Sequence, residues 1–160
     1  FEADVTFLAT ENLLMMLNYA YLDTEVTKAT DINGNDASDQ FVFFSAPEHS
    51  FTASADYTLL QADWGRTSLN VSVNYMDERN GGSRAENVKN TQLRQYELVN
   101  ARLSLTDVPF AGGRLAAGLW AKNLLDEEYE LTAVDNLPQA DRSVIWGEPR
   151  TYGIDIFYEY

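Results

Sequence analysis

Thr151-Tyr152-Gly153-Ile154-Asp155-Ile156-Phe157-Tyr158-Glu159-Tyr160 closes the chain. Tyr152, Ile154, Ile156, Tyr158 and Tyr160 fall on one side of a period of two, and Thr151, Gly153, Asp155, Phe157 and Glu159 on the other. Successive side chains of a β-strand point to opposite faces, so this segment reads as a strand with one apolar and one mainly polar face. What the apolar face meets, another protein layer or lipid, decides the fold.

Six further segments keep that period. Ala3, Val5 and Phe7 alternate with Glu2, Asp4 and Thr6. Leu13, Met15, Leu17, Tyr19 and Tyr21 form the second segment, and Phe51, Ala53, Ala55, Tyr57 and Leu59 the third. The fourth sets Leu69, Val71, Val73 and Tyr75 against Arg66, Ser68, Asn70, Ser72 and Asn74. The fifth sets Val99, Ala101, Leu103 and Leu105 against Asn100, Arg102, Ser104 and Thr106. Leu115, Ala117, Leu119 and Ala121 in the sixth oppose Ala116, Gly118, Trp120 and Lys122. Each is roughly 8 to 12 residues long, the span a tilted strand needs to cross a hydrocarbon layer.

The connections alternate as well. Tight turns are expected at 10–12, at 62–65 and, with Pro and Gly, at 107–113. Between them lie long stretches at 25–50, 77–95 and 130–149. Short turns on one side and long loops on the other are the rule of outer-membrane barrels. A soluble sandwich spaces its turns more evenly, and loops beyond roughly 15 residues in a compact domain usually serve a function. With the C-terminus periplasmic, all three long connections fall outside the cell. Seven strands do not close a bacterial barrel, and an open sheet leaves two raw edges. The chain therefore reads as the C-terminal part of a larger protein, as does its start at Phe1 without Met or signal peptide.

Composition bounds the alternatives. The longest apolar run, Leu13 to Leu17, is five residues, far short of a transmembrane helix. The 160 residues carry 25 acidic and 11 basic side chains, a net charge of −14, which repels phosphate and argues against nucleic-acid binding. There is no cysteine, so disulfides and thiolate metal sites are absent. The nine tyrosines suit a boundary between apolar and wet surroundings.

Asn123-Leu124-Leu125-Asp126-Glu127-Glu128-Tyr129 resembles the Asn-Leu-aromatic-Asp-x-x-Tyr element of the penultimate strand in TonB-dependent outer-membrane receptors, with Leu125 where an aromatic is commoner. Gly147-Glu148-Pro149-Arg150-Thr151 resembles the Gly-x-Pro-Arg stretch that opens their last strand. Tyr152, Ile154, Ile156, Tyr158 and Tyr160 are similar to the C-terminal signal read by the barrel-assembly machinery. Ala46-Pro47-Glu48-His49-Ser50 resembles the family before the third segment. The resemblance implies an all-β fold, the last seven strands of an outer-membrane β-barrel of about 22 strands with an N-terminal plug in its lumen. It further implies uptake of a scarce nutrient such as an iron-siderophore, cobalamin, haem or a saccharide, energised through TonB. Outer-membrane lipid, lipopolysaccharide and the plug would be partners. No catalysis and no cofactor are implied.

Several candidate sites compete with blander readings. Residues 31–39 hold six oxygen-bearing side chains in nine positions, hard ligands of the kind calcium takes. An EF-hand loop, however, wants Gly sixth and Glu twelfth, where Asp36 and Val42 stand, and Asn, Gly and Asp also simply build turns. His49 is the sole histidine and marks re-entry into the third segment. Arg150 suits an anion or a lipopolysaccharide phosphate, but a pair with Asp126 or Glu148 is the simpler expectation. Asp126, Glu127 and Glu128, taken as the end of the sixth strand, would diverge rather than converge on a substrate, and form an acidic rim. Asn70, Asn74, Asn100, Arg102, Trp120 and Lys122 fall on the inward face with Asp155 and Glu159, as lumen or plug contacts in a barrel and as solvent face in a sandwich. The alternative functions are a soluble acidic β-sandwich or lectin-like binding module, and an enzyme on a membrane barrel, for which no Ser-His-acid set or carboxylate dyad is found.

Overall fold

The period of two becomes one antiparallel sheet in the computed structural model of the chain, which describes residues 1–136 and 140–160. In chain order the elements are β1 (Glu2–Thr10), β2 (Leu13–Tyr21), β3 (His49–Ala62), β4 (Gly65–Met76), β5 (Arg79–Asn80), α1 (Val88–Thr91) and β6 (Gln92–Leu93). β7 (Tyr96–Phe110), β8 (Gly113–Lys122), β9 (Glu130–Asn136), β10 (Ala140–Trp146) and β11 (Thr151–Glu159) complete the chain. β1, β2, β3, β4, β7, β8 and β11 form a seven-stranded meander in that order, and β5–β6 and β9–β10 are separate two-stranded ribbons. The sheet is open, with β1 and β11 at its edges.

Register aligns the apolar halves of all seven strands. One row across the sheet runs Val5, Leu17, Ala53, Val73, Val99, and the next Phe7, Met15, Ala55, Val71, Ala101, Ala121, Tyr152. A third runs Tyr57, Leu69, Leu103, Leu119, Ile154. The larger side chains on this face are exposed, Phe7 at 59% and Leu119 at 51%, and the smaller ones between them, such as Ala53, Val71 and Val99, are half-buried, a contiguous apolar surface of the kind that marks a membrane or protein contact. Aromatics bound the band at both ends. Phe51 stacks on Tyr75 with centroids 5.2 Å apart near the long connections, and Phe110 meets Tyr158 edge-on at 6.3 Å near the short turns. His49 belongs to the first group, its Nδ1 2.8 Å from the Tyr19 hydroxyl and its ring 5.2 Å from that of Tyr21.

Beside a register slip between Leu8 and Thr10 at the end of β1, two bulges correct the simple alternation. The register slips between Thr58 and Leu60, so Leu60, opposite Thr67, takes the apolar place expected for Leu59. A second slip lies between Leu105 and Val108, where Asp107 has a φ of 60°. A single extra residue inverts the facing of the residues beyond it, which brings Val108 and Phe110 onto the apolar face. The turn expected over 107–113 is consequently shorter. β7 runs through Pro109, and only Ala111 and Gly112, with φ of 46° and 85°, reverse the chain, a type I′ hairpin.

The long connections hold more structure than their composition announces. β5, α1 and β6 lie within 77–95, and β9 and β10 within 130–149. The tip of that last connection, residues 137–139, is outside the described residues. Residues 123–129 are not strand but a turn, because Asn123 and Asp126 adopt left-handed φ of 49° and 60°. The divergence expected for Asp126, Glu127 and Glu128 on a strand therefore does not apply.

Candidate functional site

The two sequence motifs at the end of the chain meet in space. β8 stops at Lys122, and the Asn123 N–H donates to Asn100 Oδ1 (3.1 Å) while the Leu124 N–H donates to the Val99 carbonyl (2.7 Å). Asn tolerates the left-handed region better than most residues. Here its side chain also closes the turn. Nδ2 donates to the carbonyls of Glu127 (2.9 Å) and Glu148 (3.1 Å), and Oδ1 accepts from the Glu127 N–H (2.8 Å). Asn123 is 4% exposed, and burial without those bonds would cost about 1–3 kcal/mol.

Asp126 and Tyr129 carry the rest of the clasp. Asp126 Oδ1 accepts from the Arg150 N–H (3.0 Å), and the Arg150 guanidinium lies 3.4 Å from Asp126 Oδ2 and donates to the Leu124 carbonyl (3.4 Å). The Gly147 N–H donates to the Tyr129 carbonyl (2.8 Å). The Tyr129 ring covers Gly147 so closely that a Cβ there would overlap its Cζ and both Cε atoms, which explains the glycine. On its other side Tyr129 meets Tyr96, with centroids 4.7 Å apart. Leu124 and Pro149 complete the motif residues, Leu124 40% exposed and Pro149 lining a recess with Tyr129 and Trp146. Hydrogen-bonding capacity here is spent on the chain itself.

Asn70, Asn74, Asn100, Arg102, Trp120 and Lys122 share the polar face of the sheet. The pairs Asn70–Arg102 and Arg102–Trp120 lie directly opposite, and Ser104, Gly118 and Asp155 form the next row. Arg102 reaches diagonally over Gly118 to Asp155 with two bonds, 2.9 and 2.7 Å, and its Nε donates to Ser104 Oγ (3.1 Å). A Cβ on Gly118 would sit 2.7 Å from Arg102 Cζ. Trp120 lies in the same way over Gly153, whose Cβ would be 2.9 Å from Trp120 Cε2, and Lys122 Nζ stands 5.9 Å from the Trp120 ring. Asn74 accepts from Thr52 (3.0 Å), Asn70 donates to Asp56 (3.0 Å) and Asn100 to Ser72 (3.4 Å). The period of two puts Arg102 and Asp155 on one face, and the one sequence signal of their pairing is Gly118, the small residue in the strand between them.

The long connections contain a cluster that spacing does not disclose. Glu130, 3% exposed, receives both Nη atoms of Arg142 (2.9 and 2.7 Å), and Arg94 stands 4.0 Å away. Bonding and charge from Arg142, helped by Arg94, hold the Glu130 carboxyl below the ordinary glutamate range against the opposing effect of burial. In the 31–39 loop, Asp31 Oδ1 accepts from the N–H groups of Asn33 and Asn35 (2.8 Å each), and Asp36 Oδ1 from the Ser38 N–H (3.0 Å) and hydroxyl (2.6 Å). The Asp31 carboxyl is lowered first by the side-chain bond from Asn35 Nδ2 to Oδ2 (3.0 Å) and then by these backbone bonds, and the Asp36 carboxyl by the bonds from Ser38. Among the described residues no three acidic or histidine side chains gather as a metal site.

An open antiparallel meander with one apolar and one hydrogen-bonded polar face, short turns at one end and structured loops at the other, is a section of a β-barrel wall. Residues 1–124 match the family model described as TonB dependent receptor-like, beta-barrel, and the chain belongs to that family. The matched region ends within the Asn123 motif, leaving the clasp with Gly147 and Arg150 beyond it. Among solved structures, the chain is similar to BauA, the ferric preacinetobactin receptor from Acinetobacter baumannii, with a TM-score of 0.73 and 21% identity. The likeness covers 98% of this chain and 21% of that one, so the chain spans about a fifth of its length. No curated protein matches the chain by sequence.

Proposed function

We propose that this chain is the C-terminal seven-strand wall of an outer-membrane receptor that takes up a scarce nutrient, such as an iron-siderophore, with energy relayed by TonB. The observation that carries the reading is the register. It gathers the apolar residues of seven strands onto one exposed face and the polar ones onto the other. The apolar face meets outer-membrane lipid and, toward the long connections, lipopolysaccharide. The polar face, with Asn70, Asn74, Asn100, Arg102, Trp120 and Lys122, lines the lumen against the plug of the wider protein. Tyr152, Ile154, Ile156, Tyr158 and Tyr160 serve as the signal for the barrel-assembly machinery. Asn123, Leu124, Asp126, Tyr129, Gly147, Pro149 and Arg150 hold the start of the last strand to the end of the one before it. Family membership supports transport rather than catalysis, and the ferric-siderophore receptor among similar structures supports an iron chelate as cargo.

The test is uptake of iron-55 siderophore complexes by cells with and without the parent gene, and by cells with the gene but depleted of TonB. Uptake of at least one chelate should require both. A parent protein that fractionates as a monodisperse soluble species without detergent would instead support the β-sandwich binding module.

A further inference from the structure

Of the buried side chains, Asn123 closes the end of β8, and Ala37, Arg79, Thr91, Leu93, Glu130 and Ala133 all lie in the long connections. Two different kinds of seam join those connections. Between 22–48 and 77–95 the seam is backbone. The Val42 N–H donates to the Ser83 carbonyl (3.0 Å), the Ser45 N–H to the Asn80 carbonyl (2.8 Å), and Phe41 bridges to Arg84. The Arg84 guanidinium covers the Phe41 ring at 4.5 Å.

Between 77–95 and the β9–β10 ribbon the seam is made by side chains. Arg79 Nη2 donates to the Glu130 carbonyl (3.2 Å), and Arg142, oriented by its two bonds to the Glu130 carboxylate, donates to the Gln92 carbonyl (2.9 Å). Asn90 adds a bond to Asp135 (3.3 Å). Among the described residues no backbone–backbone hydrogen bond crosses this seam. Arg79 is 6% exposed, and its guanidinium also lies 5.5 Å from the centre of the Tyr96 ring, so the seam is carried by arginine side chains rather than by a shared ladder.

We infer that the outer connections form a cap of two bodies, 22–48 stitched to 77–95 as one and the β9–β10 ribbon as the other. They are joined by an ionic latch on Glu130 that lets the ribbon part from the rest. The backbone bonds of the first seam do not depend on the charge of Glu130, whereas the latch fails when Glu130 is neutral or Arg142 is misoriented. The inference rests on the receptor reading only for the side the connections face. Its test reads the seam whether or not any cargo is transported.

Hydrogen exchange on the full-length parent protein in lipid bilayers supplies that test, comparing the parent with Glu130→Gln. Amides of β9 and β10 should exchange at least tenfold faster in the variant, with 41–45, 80–84 and wall strand β7 unchanged. Rates within twofold of the parent throughout, or loss of protection at 41–45 by the same factor as in β9, would overturn the two-body cap. Arg142→Lys keeps the charge but loses the paired geometry, and decides the matter if Glu130→Gln also disturbs β7. It should free the ribbon while β7 stays protected, and equal protection of the ribbon in parent and lysine variant would refute the latch.

Discussion

At the scale of single residues, the informative positions are those where a small or left-handed residue makes room for a neighbour. Asn123 combines a φ of 49° with side-chain bonds to both ends of its turn. Asn123→Gly keeps the backbone freedom and loses the bonds, whereas Asn123→Ala loses both. Alanine should therefore lower the unfolding stability of the parent protein in lipid vesicles more than glycine does. The difference should be about 1 kcal/mol, the order of the left-handed penalty for an L side chain. Equal losses would mean that the conformation is not strained. Gly118→Ala forces the Arg102 guanidinium off Asp155, an overpacking change that costs about 1–3 kcal/mol. Denaturant unfolding with no shift in midpoint would show that the strand tolerates a Cβ at Gly118.

At the scale of elements, the hairpin β7–β8 and the ribbon β9–β10 make separate predictions. Ala111 holds a φ of 46° in a type I′ turn, where Asn is favoured over Ala. Ala111→Asn should raise stability by roughly 0.5 kcal/mol, seen as a higher urea midpoint. In the ribbon, Glu130 has its folded pKa depressed, mainly by Arg142. Its ionised form stabilises the seam at pH above the ordinary glutamate range, and that contribution is lost as pH falls through the lower folded value. The charged groups facing it are Arg142 from β10 and Arg79 and Arg94 from the second connection. Since the chain lacks cysteine, a spin label at Ile145→Cys can report on the ribbon. Its mobility should rise only in acid, and in Glu130→Gln it should already be high at neutral pH.

The wall strands were legible in sequence because each presents a different environment on its two sides, which writes a period of two directly into the residues. The bulges at Leu59 and Asp107 were not legible, since an extra residue leaves only a shifted alternation that reads as a strand end. β9 lies against α1 and β6, and β10 against α1, while Leu131, Val134, Ile145 and Trp146 stay exposed, so the apolar residues of the ribbon show no clean period. The Glu130–Arg142 pair is hidden for the same reason, since it joins two strands of a ribbon whose sequence carries no period of two. Asn123 and Gly147 were visible as motif residues. Their roles emerged only from a left-handed turn and from a ring that lies where a Cβ would be.

At the scale of the whole molecule, the chain is a wall section whose order comes from ladder bonds and cross-strand rows more than from a buried core, as expected when both faces are completed by something else. The central claim is that the apolar rows face lipid and the polar rows the lumen. Single cysteines along β4 and β7 of the full-length parent, spin-labelled in lipid bilayers, test it most directly through collision with oxygen and with a water-soluble nickel chelate. Labels at Val71, Val73, Leu103 and Leu105 should collide with oxygen far more than with nickel, and those at Asn70, Ser72, Asn100 and Ser104 should show the opposite balance or contact with neither. An accessibility pattern with no period of two, or with nickel reaching Val71 and Leu103, would contradict the membrane-wall account.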